Sequence, residues 1–123
     1  MDSQTTTIVV EISKEFIGLM QRIDPNWERA YYRFRMDGGR YGSNGSYSLP
    51  SGAQLIGALQ CSDFYDSANK KGYELFQALK RNKGVFLLTI DSDFNYHVDF
   101  DWEDIDRWEI TKMNGSSGLP RGI

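Results

Sequence analysis

Along residues 8–23 the apolar side chains Ile8, Ile12, Phe16, Leu19, Met20 and Ile23 recur every three or four positions, with Glu11, Lys14, Glu15, Gln21 and Arg22 between them. That spacing puts one apolar stripe on an α-helix. Thr5, Thr6 and Thr7 offer N-terminal caps, and Pro25 disfavours helical geometry at Asp24, so the helix is expected to stop there. After Trp27 the period changes to two: Ala30, Tyr32, Phe34 and Met36 share one face, Arg29, Tyr31, Arg33 and Arg35 the other. This predicts a half-buried strand. Asp37-Gly38-Gly39 turns the chain, and the Gly- and Ser-rich stretch from Tyr41 to Ser48 can return as a second strand with weak side-chain packing.

Pro50-Ser51-Gly52 is a second turn signal, and Gln54 to Leu59 is short enough for a strand or a helical turn, of which the strand is favoured. Ser62 or Asp63 then caps a helix reaching about Asn82, with Phe64, Ala68, Leu75, Phe76 and Leu79 inward and Lys70, Lys71, Lys80 and Arg81 mostly outward. Gly72 inside it costs about 1 kcal/mol relative to alanine, and Gly84 marks its C-terminal region. Val85 to Ile90 is an apolar run. After a turn at Asp91 to Asp93, Tyr96, Val98, Phe100 and Trp102 alternate with His97, Asp99 and Asp101, which predicts a hairpin. The order helix, strands, helix, strands implies an α+β fold: an antiparallel sheet of about five strands in hairpins, with two amphipathic helices packed on one face. Residues 1–123 form one domain, in which Gly115 to Ile123 has the composition of a loose tail that Leu119 and Ile123 could pin.

Composition narrows the function classes. A chain of 123 residues with 40% apolar content can bury a core without staples. One cysteine, Cys61, forms no internal disulfide, and the polar opening Met1 to Thr7 lacks a secretory leader, so a cytoplasmic location is expected. The longest apolar run, Val85 to Leu88, is far short of the roughly 20 residues of a membrane span, so no membrane role is expected. A net charge of −3 argues against nucleic acid as a partner. Charge is uneven, however. Asp91, Asp93, Asp99, Asp101, Glu103, Asp104, Asp106 and Glu109 face only Arg107 as a full cation in that segment, whereas Lys70 to Lys83 holds five bases and only Glu74 as an acid.

Several constellations could carry chemistry. Asp91-x-Asp93-x-Asn95 matches the first half of an EF-hand loop, but Tyr96 stands where glycine is needed and Trp102 where a bidentate glutamate is needed. The same acids follow an apolar strand, as metal-binding acids do in some sugar-nucleotide transferases, yet the chain has no room for a nucleotide-binding α/β domain. His97, Asp99 and Asp101 project from one strand face, where they could hold a metal or pair a base with an acid; a solvent-facing edge is the simpler reading. Cys61 has no nearby histidine and reads as a small buried residue. The segment Gly42-Ser43-Asn44-Gly45-Ser46 lacks the lysine of a phosphate loop, and Arg29, Tyr31, Arg33 and Arg35 could form a basic-aromatic face of the kind that stacks single-stranded nucleic acid. The acids of residues 91–109, interleaved with Trp102 and Trp108, are either a solvated edge that prevents aggregation or a docking surface for a basic partner.

The order of features resembles the YezG-type immunity proteins of bacterial polymorphic toxin systems. The matching parts are Pro25-x-Trp27 entering an aromatic strand, the Tyr-rich first hairpin, Phe64-Tyr65-Asp66, Leu88-Thr89-Ile90-Asp91-Ser92, Phe94-x-Tyr96, Phe100-x-Trp102-Glu103-Asp104, Arg107-Trp108 and Lys112-x-Asn114-Gly115. They span most of the chain. The resemblance implies a cytoplasmic antidote that sequesters the C-terminal domain of a cognate toxin, often a nuclease, and is not itself an enzyme. It carries over no contact list, but it tips the acidic segment toward docking: Asp91, Asp93, Asp99, Asp101, Trp102, Glu103, Asp104, Asp106 and Trp108 become the expected partner-binding residues. No cofactor or metal is expected on this reading, and the exposed strand edge leaves room for a homodimer. A small metal-dependent enzyme or metal-binding module using His97, Asp99 and Asp101 is the alternative.

Overall fold

The computed structural model describes residues 2–123. Asp2 opens the first helix, because its carboxylate accepts the Thr5 backbone N–H at 2.9 Å; α1 therefore spans Ser3–Ile23 and begins before the three threonines expected to cap it. Asp24 is extended and ends the helix, as the following proline requires. Three strands follow, β1 (Arg29–Asp37), β2 (Arg40–Leu49) and β3 (Gly52–Leu55), then α2 (Ser62–Ala78), then the hairpin of β4 (Lys83–Asp91) and β5 (Tyr96–Asp101). All pairings are antiparallel and the spatial order is β3-β2-β1-β4-β5. Both helices pack on one face, giving the expected α+β architecture.

Two local boundaries differ from the sequence reading. The third strand is Gly52–Leu55 rather than 54–59, and Leu59 beyond it is almost fully exposed. Cys61, not Ser62 or Asp63, occupies the N-cap of α2, with no side-chain hydrogen bond and a half-buried thiol. The helix ends at Ala78, four residues early, because Lys80 turns into the left-handed region at φ 57°.

Under the helices lies an aromatic core. Phe16 stacks on Phe64 with centroids 5.0 Å apart, and Phe34 on Phe86 at 5.4 Å. Tyr32 sits among them fully buried, its hydroxyl bonded to Asn69, and burial drives its pKa far above that of an exposed phenol. Gly72 explains itself here: a Cβ on it would meet the Phe34 ring at 2.8 Å, so the glycine lets α2 lie close on β1.

The opposite face of the sheet is where the half-buried expectation for β1 fails. Residues after β5 cross back over it, and Trp108 and Ile110, with Leu119 beside them, pack on Tyr31, Val85 and Leu87 as a second core. The tail is thus pinned by Leu119, while Ile123 stays exposed. This strap buries Arg33 to 7% exposure; its Nε donates to the Arg107 carbonyl at 2.8 Å and its Nη2 to the Ile105 carbonyl at 2.7 Å. Asn44 adds a bond from Nδ2 to the Ile110 carbonyl at 2.8 Å. Ser46, also on this face, is fully buried and its hydroxyl has no partner among the described residues.

Candidate functional site

The acidic segment does not form one cluster. β5 carries it from the hairpin tip, with Asp91 and Asp93, to the turn after the strand, with Glu103, Asp104 and Asp106. Six residues of strand separate the two ends, about 20 Å at a strand's rise per residue.

At the tip, the Asp91 carboxylate accepts the backbone N–H groups of Asp93 at 2.9 Å and Asn95 at 3.0 Å, and the Asn95 amide at 3.2 Å. Those bonds favour the charged form and hold its pKa below the ordinary carboxylate value. The Asp91 oxygens of the half calcium loop are thus occupied in closing the turn, while Asp93 stays exposed. The turn lifts Phe94 into left-handed backbone at φ 67°, a conformation that bulky side chains avoid, and leaves it 56% exposed. Tyr96 beside it is 44% exposed. Together with Val10, Ile17 and Gln21 of α1 they line an apolar depression of about 390 Å³.

Along β5, Val98 and Phe100 face the helical core, and His97, Asp99 and Asp101 face the other way. His97 Nε2 lies 2.9 Å from Asp99 Oδ1, but Asp101 turns to its own loop. It accepts the N–H of Glu103 at 3.0 Å and of Asp104 at 2.9 Å, and pairs with Arg107 at 3.1 Å, which lowers its pKa. Two of the three residues of the alternative metal site therefore meet and the third is diverted. Among the described residues no group of three or more His, Cys, Asp or Glu side chains could hold a metal ion.

The two tryptophans are structural neighbours of the core rather than free anchors. Trp108 is 5% exposed in the second core, with Arg107 stacked 4.4 Å above its ring, so it cannot present its face to a partner without the strap lifting. Trp102 stacks on Phe100 at 5.1 Å, meets Phe76 edge-on, and is roofed by Arg81 at 4.8 Å. A Cβ on Gly84 would strike it at 2.6 Å. Asp93, Asp99, Glu103, Asp104 and Asp106 remain exposed, and Asp106 pairs only loosely with Arg35 at 3.7 Å.

Sequence reasoning missed Phe94 and Tyr96 as the exposed aromatics of this edge, although both stand beside the turn acids. It also allowed Arg29, Tyr31, Arg33 and Arg35 a basic-aromatic face, as the less favoured reading. Tyr31 and Arg33 are instead covered, and the signal for that was the spacing of Trp108, Ile110 and Leu119, apolar residues in need of a surface to cover. No family model matches the chain, and no curated protein matches it. No helix among the described residues is long and apolar enough to cross a membrane.

Proposed function

We propose that this protein is an immunity protein, a non-catalytic antidote that binds the C-terminal domain of a cognate bacterial toxin in the cytoplasm and blocks its basic, substrate-gripping surface. A nuclease is the toxin class that such an acidic face suits best, because a surface built for phosphate is cationic. The observation that carries the reading is the β5 edge: exposed Asp93 stands at the hairpin tip with exposed Phe94 and Tyr96, while exposed Asp99 on the other side of the strand and Glu103 at its far end extend the negative charge along the same edge. Acids there attract a cationic partner from a distance, and the aromatic pair offers apolar area to hold it. Phe94 and Tyr96 take the anchoring role that Trp108, being buried, cannot.

The test is a binding-kinetics series with the toxin domain encoded beside this protein. Reversal of Asp93, Asp99 and Glu103 to lysine should slow association about tenfold at low salt and flatten its salt dependence. Phe94→Ala should act mainly on dissociation. Equal association rates and equal salt slopes for parent and triple variant would reject the acidic edge as the docking face, and failure of the parent to protect cells expressing that toxin would reject the function.

A further inference from the structure

On the strap side of the sheet, at the end where β1 turns into β2, an open depression of about 460 Å³ lies between the sheet and the strap. Its charged lining is Arg33, Arg35, Arg121 and Glu109, joined by the amides of Asn44 and Asn114. Of these only Glu109 comes from the acidic segment, and none is among the expected docking residues.

The charge balance of this depression is unusual. Arg33 is buried, yet it forms no ion pair; both of its hydrogen bonds go to neutral carbonyls, and its Nη1 donates to no acceptor among the described residues. Burial first, and then the neighbouring Arg35, pull its pKa down. Glu109, Asp106 and Asp104 oppose that shift only from beyond ion-pair distance, so the buried cation is incompletely compensated, and a second guanidinium two residues along the same strand face adds repulsion. Arg35 is held only by the 3.7 Å contact with exposed Asp106, so it is free to swing toward the depression. Arg121 closes the far wall and pairs with Glu109 at 3.2 Å.

We propose that this depression binds a small phosphomonoester carrying hydroxyl groups, of the sugar-phosphate class. Three guanidiniums from β1 and the strap line it, with Nη1 of Arg33 uncommitted and Arg35 only loosely held, and charge-assisted donors of this kind suit phosphate oxygens. Phosphate alone would leave much of the volume empty, and the wall also holds Glu109, an acceptor that repels a bare anion but receives hydroxyl donors. The amides of Asn44 and Asn114 serve either part. This site does not rest on the toxin-binding reading, since none of its lining residues is among the acids and aromatics that carry that reading.

The experiment is a calorimetric titration of the whole protein at constant ionic strength with ribose 5-phosphate, inorganic phosphate, ribose and acetate as separate probes. Ribose 5-phosphate should bind saturably at one site, more tightly than phosphate, while ribose and acetate show no saturable binding. Arg35→Gln should weaken ribose 5-phosphate about tenfold or more, with Arg35→Lys recovering part of the loss. Arg121→Gln, remote from the sheet core, gives a second reading of the same loss if Arg35→Gln lowers the melting temperature. Saturable binding by acetate equal to that of phosphate, equal affinity for phosphate and ribose 5-phosphate, or unchanged binding in both arginine variants would each overturn the proposal.

Discussion

Gly72 of α2 and Phe34 of β1 touch so closely that a Cβ on the glycine would lie 2.8 Å from the ring. Phe34 is fully buried between Phe86 and Phe76 and has no space to retreat. Helix propensity alone favours Gly72→Ala by about 1 kcal/mol. Overpacking should reverse the sign and destabilise the protein by about 1–3 kcal/mol. A urea melt of that variant more stable than the parent would show that α2 rides further from the sheet.

Trp108→Ala removes the largest side chain of the second core. It should lower stability by about 3–5 kcal/mol, the usual cost of truncating a buried aromatic ring. Loss of partner binding without loss of stability would instead make Trp108 a contact residue.

Ser46 is the opposite case. Its buried hydroxyl gains no hydrogen bond in compensation for leaving water, so Ser46→Ala should be neutral or stabilising, by up to about 1 kcal/mol. A thermal melt shifted downward would reveal an acceptor, such as an ordered water, bonded to that oxygen.

How much of this was legible in the sequence follows from what periodicity records. It recorded α1, the helix-facing side of β1 and β5, because each turns one apolar face to a single layer, and it recorded β4 as an unbroken apolar run because that strand is covered on both faces. It could not distinguish Arg33 in solvent from Arg33 under a strap, since the period of two is the same in both. The strap itself has no period: Trp108, Ile110 and Leu119 are held by side-chain and backbone bonds from distant residues, including Arg33 and Asn44. For the candidate site, the acids were visible, but their division between turn closure at Asp91 and Asp101 and exposure at Asp93, Asp99 and Glu103 depended on local geometry.

That division predicts the acid limb of stability. Asp91 and Asp101 have pKa values lowered in the folded state, chiefly by backbone N–H bonds, so the folded form holds their protons more weakly than the unfolded form. Their contribution is complete above the unfolded carboxylate value of about 3.9 and is lost as pH falls through the lowered folded values. Urea midpoints followed from pH 6 to pH 2 should fall steeply below pH ~4, and less steeply in Asp101→Asn. A variant curve parallel to that of the parent would remove Asp101 from the account.

The strap also sets a timetable. Arg33 and the carbonyls that hold it are 72 and 74 residues apart, so at about 5–20 residues per second a ribosome needs roughly 4–15 s to deliver the partners after Arg33 itself has emerged. In that interval Tyr31, Val85 and Leu87, as each appears, belong to a sheet face with no cover, the kind of surface on which nascent chains adhere to one another. A solvated guanidinium in the middle of that face keeps it wet, and the same charge later drops its water to clasp the arriving backbone. Arg33 is thus the latch of the finished molecule, and one that can close only after the strap has been made.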